Sequence, residues 1–150
     1  MDITLVNYMK EQLRLVSLDF KRYMYDKLPW QARFVGLMGP RGVGKSTLIL
    51  QHLKEMDADT QAKSLYISAD HSYFTTHTLI DTADQFVREG GETLYIDEVH
   101  KYDSWSRELK QIYDSHPELK IFFTGSSMLD ILDGEAELSR RVVLYEMRGV

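Results

Sequence analysis

A glycine-rich stretch that ends in lysine and serine has the spacing of a phosphate-binding loop. Residues 39–46 read GPRGVGKS, which fits the pattern G-x-x-x-x-G-K-[ST]. Glycine lets backbone N–H groups turn inward around an anion, while Lys45 supplies a positive charge and Ser46 offers a hydroxyl to a magnesium ion. We therefore expect this stretch to bind the phosphates of a nucleotide. The predicted contacts are Gly39, Pro40, Arg41, Gly42, Val43, Gly44, Lys45, Ser46 and Thr47.

Two adjacent carboxylates follow an apolar segment and predict a metal site beside a general base. Residues 94–96 are apolar and lead directly into Asp97 and Glu98. A buried strand would hold both carboxylates at its end. We expect Asp97 to meet the magnesium ion that Ser46 also binds, directly or through water. Glu98 could polarise a water for attack on the γ-phosphate of ATP, or it could be a solvated loop carboxylate.

Hydroxyls and arginines further along the chain could act on the same phosphates. Residues 124–127 form a hydroxyl-rich cluster in which Thr124 or Ser126 could hydrogen-bond the γ-phosphate or the attacking water. Either serine of this cluster could equally cap the next helix. Arg141 could reach a neighbouring copy's γ-phosphate as an arginine finger, or form a solvated pair with Arg140. The predicted catalytic residues are Glu98, Lys45, Thr124, Ser126 and Arg141, and the predicted metal ligands are Ser46 and Asp97.

Alternating apolar and amphipathic segments predict an α/β fold with a parallel sheet between helices. The predicted strands are 33–38, 64–68, 93–98, 119–124 and 141–145, and the predicted helices are 45–56, 78–88, 104–116 and 128–132. Apolar residues at steps of three and four also predict an N-terminal amphipathic helix over about 2–27, packed on the domain. Nucleotides bind at the carboxyl ends of parallel strands, so we expect the phosphate loop, the carboxylates, the hydroxyl cluster and Arg141 at one sheet edge.

Composition excludes several classes of function. The chain has 150 residues, 43% of them hydrophobic, and a formal net charge of −5, which argues against a generally basic nucleic-acid-binding surface. The pair Arg140-Arg141 is the densest local basic candidate. With zero cysteines there is neither a disulfide framework nor a cysteine-based zinc site. No apolar run is long enough to span a bilayer, and the N-terminus lacks signal-peptide features, so we expect a cytoplasmic protein.

Several segments together resemble the ATPase core of the AAA+ superfamily. These segments are GPRGVGKS at 39–46, YIDEVHK at 95–101, Trp105, FTGSS at 123–127 and RVVLYEMR at 141–148. They are most similar to the prokaryotic AAA_14 group, whose members usually carry a C-terminal DUF4143-type region. The resemblance runs from about Tyr23 to the end of the sequence.

The resemblance implies a three-layer αβα P-loop NTPase core with a five-stranded parallel sheet in the order 5-1-4-3-2. By motif position it assigns Lys45 and Ser46 to Walker A, Asp97 and Glu98 to Walker B, and residues 124–127 to the sensor-1 region. Arg141 corresponds to the arginine of the family's Gly-Arg pair, although Arg140 stands here in place of the glycine. The family's helical lid, sensor-2 arginine and C-terminal domain have no counterpart in these residues. We therefore expect a single core domain, 1–150, truncated after its last strand.

Together the motifs favour a magnesium-dependent ATPase domain that couples nucleotide state to conformation or assembly. Its expected partners are ATP and ADP, with a homo-oligomer through Arg141 and DNA as further candidates. An alternative is a nucleotide-dependent switch or DNA-associated regulatory module that barely hydrolyses ATP. A small-molecule kinase ranks last, because residues 57–91 contain no arginine-rich acceptor or lid segment.

Overall fold

A single parallel sheet organises the protein, which we describe from a computed structural model at residues 1–18, 27–40, 42–126 and 140–147. Within these residues the sheet has five strands in the order β2-β3-β4-β1-β5, and every neighbouring pair is parallel. The strands are β1 (Phe34–Met38), β2 (Ser64–Ser68), β3 (Thr93–Asp97), β4 (Lys120–Gly125) and β5 (Val143–Glu146). The predicted fold class and strand order are therefore confirmed.

A helix precedes β1, and helices connect β1 to β2, β2 to β3 and β3 to β4, as the alternating pattern predicts. They are α1 (Ile3–Leu15), α2 (Lys45–Glu55), α3 (Ala58–Ala62), α4 (Leu79–Arg88) and α5 (Trp105–Ser115). Two 3₁₀ turns, Ser72–Thr75 and Val99–Lys101, follow β2 and β3 respectively. The helix predicted over 128–132 lies outside the described residues. In the described part of the chain, no helix is both long enough and apolar enough to cross a membrane.

The N-terminal helix is shorter than its periodicity predicts. Its expected extent was about 2–27, but α1 ends at Leu15 and the next residue, Val16, is extended with φ −77° and ψ 138°. Residues 16–18 are not helical, and 19–26 lie outside the described residues. The prediction of one continuous helix to Lys27 is therefore wrong.

Hydrogen bonds to α2 account for the early end of α1. Lys54 donates from Nζ to the carbonyl of Val16 at 2.7 Å, and Gln51 donates from Nε2 to the carbonyl of Ser17 at 2.9 Å. These contacts satisfy carbonyls beyond the helix end with side-chain donors from another element. A tertiary interaction thus overrides an apolar period that continues in the sequence.

Aromatic contacts divide the helices between the two faces of the sheet. On one face, Tyr8 of α1 stacks on Tyr66 of β2 with ring centroids 6.0 Å apart. On the other face, Tyr113 of α5 stacks on Phe34 of β1 at 5.0 Å, and α4 packs against α5. Residues alternate between faces along each strand, so apolar strands can bury side chains under both helical layers. The result is the predicted three-layer arrangement.

A half-buried histidine of α2 is expected to make stability dependent on pH. His52 of α2 stacks on Trp30 with centroids 3.9 Å apart, and burial lowers the pKa of His52 from 6.5 to about 4. Between these values the unfolded chain binds more protons than the folded one. The free energy of unfolding should therefore fall as the pH drops from 6.5 towards 4, by up to about 1.4 kcal/mol per pH unit.

Urea unfolding at pH 7 and pH 5 measures this effect. His52→Phe keeps a ring against Trp30 and should flatten the pH dependence, because no proton is taken up at that position. His77→Phe is the matched control, since His77 is exposed and stacks on Tyr73 at 3.9 Å. An unchanged slope in His52→Phe would contradict the assignment.

Candidate functional site

The loop between β1 and α2 is held in shape by glycines with backbone conformations that other residues rarely adopt. Gly42 and Gly44 have φ angles of 85° and 94°, and Gly44 is the N-cap of α2. At Gly39, a Cβ atom would lie 2.3 Å from the carbonyl oxygen of Met147, so only glycine fits beside the end of β5. The N-terminus of α2 consequently points its free N–H groups at the site. Arg41 lies outside the described residues.

One cavity brings the loop and the two carboxylates together. Its volume is about 270 Å³. It is lined by Gly42, Gly44, Lys45, Ser46, Thr47, Asp97 and Glu98. A larger cavity of about 580 Å³ lies between residues 87–92 and 115–119 and contains none of the predicted site residues. The smaller cavity is the candidate site because the predicted phosphate-binding and metal-binding residues line it.

Asp97 is a buried carboxylate held by three hydroxyl groups. Its side chain is 3% exposed. Oδ2 accepts hydrogen bonds from Ser46 Oγ and, at 2.5 Å, from Tyr66 Oη, while Oδ1 accepts one from Thr124 Oγ1. Burial, followed by the negative charge of Asp97, raises the pKa of Tyr66, so its phenol remains a donor. The two predicted metal ligands, Ser46 and Asp97, are therefore in direct contact.

The donor atoms at this contact suit magnesium. Mg²⁺ prefers oxygen ligands and commonly keeps several waters together with one carboxylate and the oxygens of a bound phosphate. Ser46 and Asp97 supply one hydroxyl and one carboxylate of that kind. Among the described residues, no three histidine or acidic side chains come together as an all-protein metal site. The two oxygen donors of Ser46 and Asp97 fit a magnesium ion.

Glu98 has a left-handed backbone that turns its side chain into the cavity. Its φ and ψ are 55° and 48°, and it is the one described residue other than glycine with a positive φ. Such a conformation costs about 1 kcal/mol or more and persists where neighbouring contacts enforce it. Here the N–H of Glu98 donates to Thr124 Oγ1 at 2.9 Å. Because the strand alternation breaks at this residue, Asp97 and Glu98 both line the cavity instead of facing opposite sides.

Thr124 has a different place from the one expected. It is fully buried, it donates its hydroxyl proton to Asp97, and it accepts the N–H of Glu98. A hydroxyl has one proton to donate, and in this structure that proton is directed to Asp97 and not towards a γ-phosphate. The structure instead gives Thr124 contacts that orient both carboxylates.

The side chain of Lys45 folds back onto the first residues of the phosphate loop. Its Nζ donates to the carbonyl oxygens of Gly39 at 2.5 Å and Pro40 at 2.9 Å. Burial lowers the pKa of Lys45, and the nearby charges of Asp97 and Glu98 oppose that shift. The ammonium group is thereby held between the loop and the two carboxylates.

Arg141 does not share the sheet edge of the other predicted residues. β5 pairs with β1 through Val143 and Val35, so residues before β5 lie at the amino ends of the strands. There the Nε of Arg141 forms an ion pair with Asp114 Oδ1 at 3.3 Å, near the end of α5. The expectation that all four groups lie at one edge is therefore wrong for Arg141, which faces away from the cavity of its own copy.

Two further residues complete the placement of the predicted site. Ser126 follows β4 at the carboxyl edge and is partly buried, but it does not line the cavity. Ser127 lies outside the described residues.

Sequence reasoning missed Tyr66, which reads as an ordinary apolar strand residue. The parallel register of β2 with β3 places Tyr66 on the same face as Asp97, but no motif marks its hydroxyl.

A comparison of sequences settles the family of the chain. The sequence pattern of the AAA_14 family, which is described as an AAA domain, matches residues 31–150. The chain belongs to this family. None of the curated proteins is similar enough to this AAA domain to count as a match.

Three solved structures show similarity to this AAA domain, and the first of them shares its fold. PCH-2 from C. elegans is 22% identical with a TM-score of 0.52, and the alignment covers 95% of this chain and 40% of that one. A katanin structure on self-assembly is 13% identical with a TM-score of 0.48, over 94% and 50% of the two chains. Trip13 from Rhizobiales is 15% identical with a TM-score of 0.46, over 97% and 61%.

The chain spans only part of the length of these structures, from 40% to 61%. Family membership indicates a nucleotide-binding domain of the AAA ATPase type.

The position of Thr124 in this AAA domain leads to a stability prediction. Thr124→Val keeps the shape of the side chain but leaves Asp97 without one donor and the N–H of Glu98 without its acceptor. The free energy of unfolding should fall by about 1 to 3 kcal/mol. Urea denaturation measures the loss, and Thr124→Ser, which keeps the hydroxyl, should recover most of the hydrogen-bonding contribution. A valine variant as stable as the wild type would refute the orienting role.

Proposed function

We propose that this AAA domain binds ATP with magnesium in the cavity lined by residues 42, 44–47, 97 and 98 and hydrolyses it. The observation that carries the proposal is the direct contact between Ser46 of the loop helix and Asp97 of β3. Two separate sequence motifs thus meet at one point, with Lys45 and Glu98 lining the same cavity. Nucleotide state would then control conformation or assembly of the protein.

Each group has a role that its position supports. The loop amides and Lys45 would hold the β- and γ-phosphates, and Ser46 and Asp97 would hold magnesium, which neutralises phosphate charge when bound. Glu98 would accept a proton from a water whose oxygen forms a bond to the γ-phosphorus. The bond from that phosphorus to the bridging oxygen of ADP breaks, leaving ADP and phosphate. Thr124 would keep both carboxylates oriented.

A role for Arg141 in a neighbouring copy remains a prediction. Its ion pair with Asp114 lies at the amino edge of the sheet, so the guanidinium could reach only the site of another copy. That pair would have to open before the arginine could contact a phosphate. The same ion pair offsets part of the positive charge of Arg140-Arg141, the pair considered as a contact for DNA.

Replacing Glu98 tests hydrolysis separately from binding. Glu98→Gln keeps the size of the side chain but removes the proton acceptor, so phosphate release should fall by about 100-fold or more. The Kd for ATP should stay within a few-fold of the wild type. Phosphate release and equilibrium nucleotide binding measure the two effects, and both should be determined with and without DNA.

Two control variants complete this test. Glu118→Gln neutralises an exposed glutamate beside the other cavity and should change neither quantity. Lys45→Ala should lose nucleotide binding. A variant that retained the wild-type affinity for ATP would contradict the assignment of the phosphate loop. Normal turnover by Glu98→Gln would exclude its role as a base. Negligible phosphate release by the wild type, with or without DNA, would favour the non-hydrolysing switch.

A further inference from the structure

Tyr66 holds Asp97 from outside the cavity. Its ring is 2% exposed, its hydroxyl lies 2.5 Å from Asp97 Oδ2, and it is absent from the cavity lining. Ser46 donates to the same oxygen, and Thr124 donates to the other. If the Ser46 hydroxyl turns to a metal ion, Tyr66 and Thr124 still provide one donor to each carboxylate oxygen. Together they would fix the plane of the carboxylate.

The N-terminal helix contacts Tyr66 through both its ring and its backbone. The ring of Tyr8 lies parallel to that of Tyr66, with an interplanar angle of 6° and centroids 6.0 Å apart. The N–H of Tyr66 donates to the sulfur of Met9 at 3.4 Å. Tyr8 also packs edge-on against His71, with centroids 4.9 Å apart. Helix α1 is therefore docked on the residue that holds Asp97.

The segment after α1 is bound to the other element of the site. Residues Val16 and Ser17 accept hydrogen bonds from Lys54 and Gln51, which both belong to α2. Helix α2 begins at the phosphate loop with Lys45. The N-terminal region thus contacts α2, which carries Ser46, and β2, whose Tyr66 donates to Asp97.

We propose that Tyr66 is a positioning residue for the metal-holding Asp97, and that its stack with Tyr8 couples the docking of α1 to magnesium-nucleotide binding. The inference rests on the proposed function, because it concerns the same cavity. Coupling of this kind is reciprocal: if bound magnesium and nucleotide stabilise docked α1, then docked α1 raises affinity for them. Binding of magnesium and nucleotide in the cavity would thus strengthen the docking of α1 through the buried side chain of Tyr66.

A magnesium titration tests the positioning role. Binding of a non-hydrolysable ATP analogue is measured in chelator and then with increasing Mg²⁺ for the wild type and Tyr66→Phe. The Mg²⁺ concentration at half-saturation should rise about 10-fold in the variant, as for the loss of other groups that orient a metal ligand. Binding without magnesium should stay within two-fold, which a general loss of folding would not allow.

Tyr95→Phe is the matched control for this titration. Tyr95 is the register partner of Tyr66 on β3, is equally buried, and packs near His52 and Phe122. Its loss of a hydroxyl should leave the magnesium dependence unchanged. The same shift in both variants, or no shift in Tyr66→Phe, would overturn the positioning role.

Hydrogen exchange tests the coupling to α1. In the wild type, exchange of α1 amides should slow when analogue and Mg²⁺ are both present, and less with analogue alone. Tyr8→Leu keeps an apolar side chain but removes the ring stack and the hydroxyl that hydrogen-bonds Ser68 and Tyr66, so this magnesium-dependent slowing should be lost. Exchange in α4, on the opposite face, is the internal reference. Equal slowing of α1 in the wild type and in Tyr8→Leu would overturn the coupling.

The results separate the inference from the function on which it rests. A wild type that binds no nucleotide overturns both. A wild type that binds the analogue with magnesium, together with Tyr66→Phe and Tyr8→Leu variants that behave like it, overturns the inference alone.

Discussion

The structure depends on keeping one negative charge inside an apolar sheet. An unpaired buried carboxylate is costly, so Asp97 requires hydrogen-bond donors from its surroundings. Three hydroxyls meet this need, and they come from three different elements: Ser46 from α2, Tyr66 from β2 and Thr124 from β4. Every element that touches the site is therefore tied to the position of this carboxylate.

Strand order makes that arrangement feasible. β3 lies between β2 and β4, so a residue at its end can receive donors from both sides. The next strand, β1, leads into the phosphate loop and brings the start of α2 to the same edge. Glu98 follows the same constraint, because its left-handed backbone is held by the hydroxyl that also holds Asp97. The orientation of Glu98, the proposed base, thus depends on the same Thr124 hydroxyl that donates a hydrogen bond to the buried Asp97.

The sequence was sufficient for the parts of the fold that depend on local patterns. The strand positions, the helices α2, α4 and α5, the glycine-rich loop and the pair Asp97-Glu98 follow from periodicity or from motifs with fixed spacing. The short helix α3 is not among the predicted elements. The end of α1 was predicted wrongly because side chains of α2 capture the carbonyls that follow Leu15. Apolar periodicity indicates which face of a helix is buried. It does not indicate where side chains of another element form hydrogen bonds with the backbone and end the helix.

The partners of buried hydroxyls were also beyond sequence reasoning. Thr124 was predicted as a contact for phosphate because it ends a strand, yet its proton goes to Asp97. Tyr66 was missed because an aromatic residue in a strand usually indicates packing. Arg141 lies at the amino edge of the sheet, because it precedes a strand that runs parallel to β1. The direction of a buried hydrogen bond therefore requires the three-dimensional register of the strands, whereas the edge at which Arg141 lies follows from its position before a parallel strand.

The most direct test is a crystal structure of the protein with magnesium and a non-hydrolysable ATP analogue. The triphosphate should lie in the cavity of about 270 Å³. The metal should lie about 2.1 Å from Ser46 Oγ and reach Asp97 directly or through one water. The hydroxyls of Tyr66 and Thr124 should still donate to the Asp97 carboxylate. A nucleotide bound elsewhere, or a metal with no link to Asp97, would contradict this account.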